Sequence, residues 1–390
     1  MSLQLIARNK DLLLLQNEGY DIEIRAGYLL VKDVPYVNAN KEIKRGILIS
    51  ALRVSGDITD RPDTHVAYWT GEHPCHNDGR KIDTISNPSP PQSFGDGIQA
   101  DFTFSAKADY LDYYHKMTTY IGRITGEARV RDENVTAQTY PIVPTEEGAS
   151  VFRYLDTATS RSGTGALNDR FSTQRIGIVG LGGTGSYVLD LVAKTCVPEI
   201  HLFDGDLFSQ HNAFRAPGAA SIDELQAKPS KVEYLAALYG KMRRGIHVHD
   251  HAIDEGTVSK LHDLDFVFIC MDSGNAKKVV VTSLLGADIP FVEVGMGIVR
   301  GDNFLMGLMR VTAGTSAVKD TILEKINFSE GDMHENDYAT NIQIAELNAM
   351  NAALAVIRWK KLYGFYRDSA KAHFYSYSIA ANEMVNEVEA

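Results

Sequence analysis

The sequence predicts a mostly parallel, doubly wound, Rossmann-like α/β sheet over residues 150–390, preceded by a smaller α+β domain over residues 1–145. Three observations carry this reading. After residue 150, apolar runs of strand length alternate with helical patterns. The run Phe266-Val-Phe-Ile-Cys270 is apolar at every position, as a strand buried on both faces of a parallel sheet is. A glycine-rich turn, Gly180-Leu-Gly182-Gly183-Thr184-Gly185, joins an apolar run to a helical pattern.

The boundary is set by Tyr140–Gly148, which carries two prolines, two glutamates and a glycine and reads as a linker. Before it, residues 3–17 look helical. Short runs at Asp21–Arg25, Tyr28–Val31, Gly46–Val54, His65–Trp69 and Ala100–Ser105 look like strands. A helix is expected from Tyr110 to Ala128, with Tyr113, Met117, Tyr120, Ile121 and Ile124 on one stripe. After the linker, strands are expected at Arg175–Gly180, Glu199–Phe203, Ile246–His251, Asp265–Met271, Phe291–Gly295 and Asn303–Thr312. Helices are expected at Gly185–Lys194, Ser230–Tyr239 and Asn341–Leu362, the last with Leu347, Met350, Leu354 and Ile357 on its buried face.

Composition narrows the class. The formal charge of −11 over 390 residues argues against nucleic-acid binding, because phosphate repels such a surface. Basic pairs such as Arg243-Arg244 and Lys360-Lys361 read as solvated faces. The three cysteines make no disulfide framework and fit a reducing cytosol. The N-terminus has no signal-peptide pattern, and no stretch approaches the ~18 apolar residues of a membrane span. A cytoplasmic protein without membrane contact is expected.

The glycine turn has a chemical meaning in this context. Glycines let the backbone approach a phosphate, and the helix opening near Gly183, Thr184, Gly185 and Ser186 points free N–H groups at that anion. Asp204, at the end of the next strand, is placed to hold ribose hydroxyls. The turn alone does not choose between NAD and ATP, and a packing role for the glycines is a further alternative.

Downstream stand Asp204-Gly-Asp206, Asn212-Ala-Phe-Arg215, Lys231-Val-Glu233 and Asp272 after the all-apolar run. With the turn, this ordered set resembles the ThiF, MoeB and ubiquitin-activating-enzyme family. The resemblance covers about residues 150–380 and implies a ThiF-like adenylation domain. It implies ATP and Mg²⁺ chemistry, in which a carboxylate attacks the α-phosphate and pyrophosphate leaves. Arg215 and Lys231 would neutralise the departing charge, with Asn212 near phosphate or metal. Asp272 would be the metal carboxylate, Asp206 an assistant and Asp204 the ribose ligand. Lys228 competes with Lys231 for the lysine role. Each of these side chains also has a plain reading, as surface cation or helix cap. The resemblance further implies an arginine ahead of the first strand that reaches the triphosphate, often from a partner subunit. Arg161 is the candidate here, and a homodimer is expected.

Two features depart from the family. No pair of Cys-x-x-Cys motifs exists, so its structural zinc is not expected. No cysteine follows Cys270, where ubiquitin-activating enzymes carry their thioester thiol. Cys196 and Cys270 read as packing residues. Cys75, in His73-Pro-Cys75-His76, is the remaining candidate acyl acceptor if a neighbouring imidazolium lowers its pKa. A structural turn and a metal site with His65, His73 and His76 are the alternatives.

The N-terminal region resembles uncharacterised domains fused to ThiF-like modules in bacteria, some beside ubiquitin-like proteins. That makes a ubiquitin-like or other β-grasp protein the expected substrate. The segment Asp337–Asn348 corresponds to the family's region near the dimer interface and substrate channel, with plain packing as the other reading. An NAD-dependent oxidoreductase and a non-catalytic nucleotide-binding scaffold remain the competing functions.

Overall fold

The computed structural model describes residues 2–272, 274–328 and 342–387. The chain forms two compact units. One comprises Met1–Val143 and Asp156–Gly163, the other Pro144–Leu155 and Thr164–Ala390. The proline-rich stretch is therefore not one open linker. Its second half belongs to the C-terminal unit, where Arg244 N–H donates to Val151 O at 2.7 Å and its guanidinium to Thr145 O at 2.8 Å. Arg243 is likewise no solvated cation. It is 1% exposed, and its guanidinium donates to the carbonyls of Ala193, Thr195 and Val197. Burial lowers its pKa to about 10.

The N-terminal unit opens with α1 (Ser2–Arg8) and α2 (Lys10–Asn17). A six-stranded antiparallel sheet follows, ordered β1 (Ile22–Arg25), β2 (Tyr28–Val37), β3 (Ile43–Ala51), β4 (Val66–Thr70), β6 (Phe102–Ser105), β5 (Ser86–Asn87). Helix α3 (Tyr113–Arg131) covers it, burying Tyr113, Met117, Tyr120 and Ile124 against Trp69 and Phe104. It starts three residues later than its apolar stripe predicts. Asp112 is the N-cap, and its carboxylate accepts from His115 N–H at 2.7 Å.

The C-terminal unit is built on an eight-stranded sheet. Its order is β9 (Ile246–His249), β8 (Glu199–Phe203), β7 (Arg175–Val179), β10 (Phe266–Ile269), β11 (Phe291–Arg300), β12 (Leu305–Gly314), β13 (Phe374–Ser378), β14 (Glu383–Glu387). Strands β9 to β11 pair in parallel and the rest antiparallel. Helices α4 (Gly183–Val192), α5 (Lys231–Gly240) and α7 (Ala345–Leu362) pack on one face. Helix α6 (Gly274–Gly286) packs on the other. The chain leaves β7 towards β8 on one side and reaches β10 on the other. That reversal opens a crevice at the carboxyl ends of β7 and β10. No helix among the described residues is long and apolar enough to cross a membrane.

Helix α7 presents a different face from the one its large side chains predict. Ile357 is 38% exposed, whereas Asn348, Asn351, Ala352, Ala355 and Trp359 are buried. Small residues let α7 lie close to α4, whose own first turn is glycine-rich. Two asparagines on that face break the hydrophobic periodicity that sequence patterns rely on. Asn341, where the expected helix began, lies outside the described residues, as do residues 337–340 of the segment Asp337–Asn348.

Trp359 anchors this layer. It is fully buried, stacks on Phe171 with ring centroids 4.4 Å apart, and donates its indole N–H to Gln174 Oε1 at 3.0 Å. Trp359→Ala should destabilise the unit by about 3–5 kcal/mol, read as a lower urea midpoint. Burial also depresses His201 and drives His249 down to about 4, so both are neutral in the folded state. The unfolded chain then binds more protons below the ordinary histidine value. Stability present above pH ~6.5 should decline as pH falls towards 4, and His249→Gln should flatten that slope in a urea titration.

Candidate active site

The glycine turn is shaped by its own packing. Gly180 has φ +88°, and a Cβ there would stand 2.8 Å from Cys270 O. A Cβ on Gly185 would stand 1.9 Å from Gly180 O, so the first turn of α4 lies directly on the turn. At Gly182 the same test finds nothing within 4 Å. That backbone faces open space, and the first-turn N–H groups of α4 lie beside it.

The open space is a cavity of about 420 Å³, within the range of small-ligand sites. Gly180, Gly182, Gly183, Thr184, Asp204, Asp206, Asn212, Arg215, Lys231 and Asp272 all line it. The structure thus brings together ten of the residues singled out in the sequence. Lys228 does not line it, whereas Lys231 does.

Asp204 is buried at the end of β8. Its carboxylate accepts from Leu181 N–H at 2.6 Å and Asp206 N–H at 2.9 Å. Lys231 opens α5 behind the N-cap Ser230, whose hydroxyl accepts from Glu233 N–H. The ammonium is buried between Asp206, at 2.6 Å, and Asp204, at 3.4 Å. Asp204 therefore shapes the turn and positions Lys231, a duty beyond the expected ribose contact.

Asn212 sits on the short helix Gln210–Ala213. Its Oδ1 accepts from Ser209 N–H at 2.9 Å, closing a capping box. Its Nδ2 is buried and has no hydrogen-bond partner among the described residues. Nε of Arg215, three residues on, is in the same condition. A buried donor without an acceptor costs about 1–3 kcal/mol, so both call for an acceptor beyond the described residues. Burial, then the charges of Arg215 and Lys231, push His211 below its usual pKa. Asp272 is exposed at the opposite wall, with Gln343 Nε2 3.4 Å from its carboxylate.

Four of the residues singled out in the sequence do not line this cavity. Ser186 does not reach the cavity, because it is fully buried and donates its hydroxyl to Gly183 O at 2.7 Å. Gly185 packs behind the turn rather than lining the cavity. Arg161 belongs to the N-terminal unit, where its guanidinium donates to Asn17 O at 2.7 Å and lies over the Tyr140 ring. Cys75 is 1% exposed, its thiol donates to His73 O at 3.3 Å, and burial raises its pKa. Burial also lowers the pKa of His73, which disfavours its imidazolium form beside that thiol. Burial raises Cys196 and Cys270 as well.

The sequence reading did not single out Asn348 and Asn351 on α7. Asn348 lies against Gly183 and accepts from the Thr184 hydroxyl at 2.9 Å. Asn351 lines the cavity, donates to Gly295 O at 3.2 Å, and keeps a buried Oδ1 without a partner among the described residues. The available signal was two asparagines three apart inside an alanine-rich helix.

Fold and cavity define a Rossmann-like α/β protein with a ligand crevice at the switch point of its parallel strands. Residues 159–388, more than half the chain, match the family described as "ThiF family", and the chain belongs to that family. Residues 10–157 match a domain of unknown function, DUF6791. No curated protein matches the chain. Among solved structures, PaaA is 17% identical, with a TM-score of 0.44, covering 57% of this chain and 65% of PaaA. E. coli MccB with ATP is 18% identical, with a TM-score of 0.45, covering 57% of this chain and 65% of MccB. The microcin C7 biosynthetic enzyme MccB with N-formylated MccA is 16% identical, with a TM-score of 0.44, covering 59% and 70%. The chain thus spans slightly less than two thirds of the length of PaaA.

The contrast between glycines gives a test. Gly185→Ala should lower stability by about 1–3 kcal/mol through overpacking. Gly182→Ala should stay within about 0.5 kcal/mol of the parent in thermal unfolding while its methyl group enters the cavity.

Proposed function

We propose that this protein adenylates a carboxylate with ATP and Mg²⁺, releasing pyrophosphate, and that the carboxylate is the C-terminal glycine of a ubiquitin-like protein. The observation that carries the reading is the set of donors around one cavity. Asn212 Nδ2 and Arg215 Nε are buried without partners among the described residues, beside Lys231 and the open backbone at Gly182. Such a wall suits a ligand made of acceptors, and a triphosphate is one.

In-line attack on the α-phosphate builds charge on the bridging oxygens, which fixed donors stabilise best. Arg215 and Lys231 supply cations, and Asn212 a neutral N–H. Lys231 is already oriented by Asp204 and Asp206, so little reorganisation precedes the reaction. Asp272 suits Mg²⁺ as an exposed carboxylate lining the same cavity, and bound there the ion neutralises phosphate charge. Asn351 Oδ1 is a buried acceptor for a ribose hydroxyl or a base N–H. A hydride-transfer enzyme needs no such cationic wall. The choice of a ubiquitin-like carboxyl terminus, and of a homodimer as the active form, rests on the resemblance to ubiquitin-activating enzymes.

Isotope exchange between pyrophosphate and ATP, stimulated by a ubiquitin-like protein ending in glycine, is the expected behaviour. Arg215→Ala, Lys231→Ala and Asp272→Asn should each reduce it by about 10²–10³-fold with the fold intact. Exchange that persists undiminished in all three variants would exclude the proposed roles.

A further inference from the structure

We propose that Glu199, His201 and His247 form a binding site for a divalent metal ion of the zinc class, separate from the cavity at the glycine turn. One ligand atom from each residue lies within 4.8 Å of the other two. The backbone itself creates the grouping. Strands β8 and β9 run parallel, with His201 and His247 as register partners. Glu199 precedes His201 by two residues, so all three side chains leave the same face of the sheet.

The geometry suits a small tetrahedral ion. Glu199 Oε2 and His201 Nε2 are 3.1 Å apart. Two ligands on zinc at its usual bond lengths are about 3.4 Å apart. The His201 and His247 rings stack with centroids 4.5 Å apart. His247 is exposed, so its ring is free to rotate onto a shared ion. Two imidazoles and one carboxylate are donors that zinc, cobalt and nickel accept, and three protein ligands leave a position for water.

A supporting shell is present. His201 Nδ1 lies 3.1 Å from Nε2 of His249. If Nδ1–H donates there, Nε2 of His201 is left bare towards Glu199, the tautomer a metal ligand requires. The neighbouring cation, Arg175, is paired with Asp265 at 3.2 Å. An ion here would tie β9, the outermost parallel strand, to β8. It would stabilise the folded chain in proportion to its concentration over Kd. The site uses no cysteine and so differs from the Cys-x-x-Cys zinc that the sequence lacks.

The test uses the full chain, stripped of metal, titrated with Co²⁺ and then Zn²⁺ by equilibrium dialysis and visible absorption. One equivalent of Co²⁺ with tetrahedral d–d bands, displaced by Zn²⁺, is expected. His201→Ala and His247→Ala should each weaken binding at least tenfold and abolish the bands. His249→Ala should weaken it by about 10–100-fold. His262→Ala, outside the cluster, should leave it unchanged. Affinity should fall as pH drops through the histidine range, because protons compete for the ligands. His247 is exposed, so its replacement does not endanger the fold, and circular dichroism checks this. Absence of saturable binding, or binding equally tight in the His201 and His247 variants, overturns the proposal.

Discussion

The carboxylate of Asp204 holds the site together. One side chain accepts N–H groups from the glycine turn and from Asp206 while facing the Lys231 ammonium. It therefore joins the ends of β7 and β8 to the start of α5. Each bond is charge-assisted and at least partly buried, which makes it stronger than its counterpart in water. Removing the carboxylate would strand a buried lysine and release the turn together, so the three elements form one cooperative unit. The cavity takes its shape from that unit.

Much of the C-terminal unit was legible because its signals are local. An all-apolar run becomes a central parallel strand, a glycine turn becomes a strand–helix junction, and Ser-Lys-Val-Glu becomes a capped helix start. The motif order brought ten residues to one cavity that span Gly180 to Asp272. The less legible parts depend on tertiary context. Helix α7 hides its asparagines and exposes Ile357, because it packs on a glycine-rich helix rather than on a generic core. Strands β13 and β14 are polar and pair late along the antiparallel edge, so their pattern is weak. Arg243 reads as a surface cation until the carbonyls of Ala193, Thr195 and Val197 are brought around its guanidinium.

Cys75 shows the same limit in chemical form. Its neighbours in sequence are two histidines, which suggest activation. In the fold its thiol donates to a backbone carbonyl and is almost fully buried, which suppresses it. Reactivity is set by the folded environment, and here burial outweighs proximity to imidazole. The ThiF unit holds the cavity, whereas the N-terminal unit contributes a six-stranded sheet and a separate core.

The contact between Asn348 and Gly183 has a consequence for biosynthesis. The pocket wall begins at residue 180 and is completed only by residues 348 and 351. A ribosome therefore releases the phosphate-facing loop long before it releases the helix that buttresses it. Ligand capture by this unit must therefore wait until residues 348 and 351 have emerged as well.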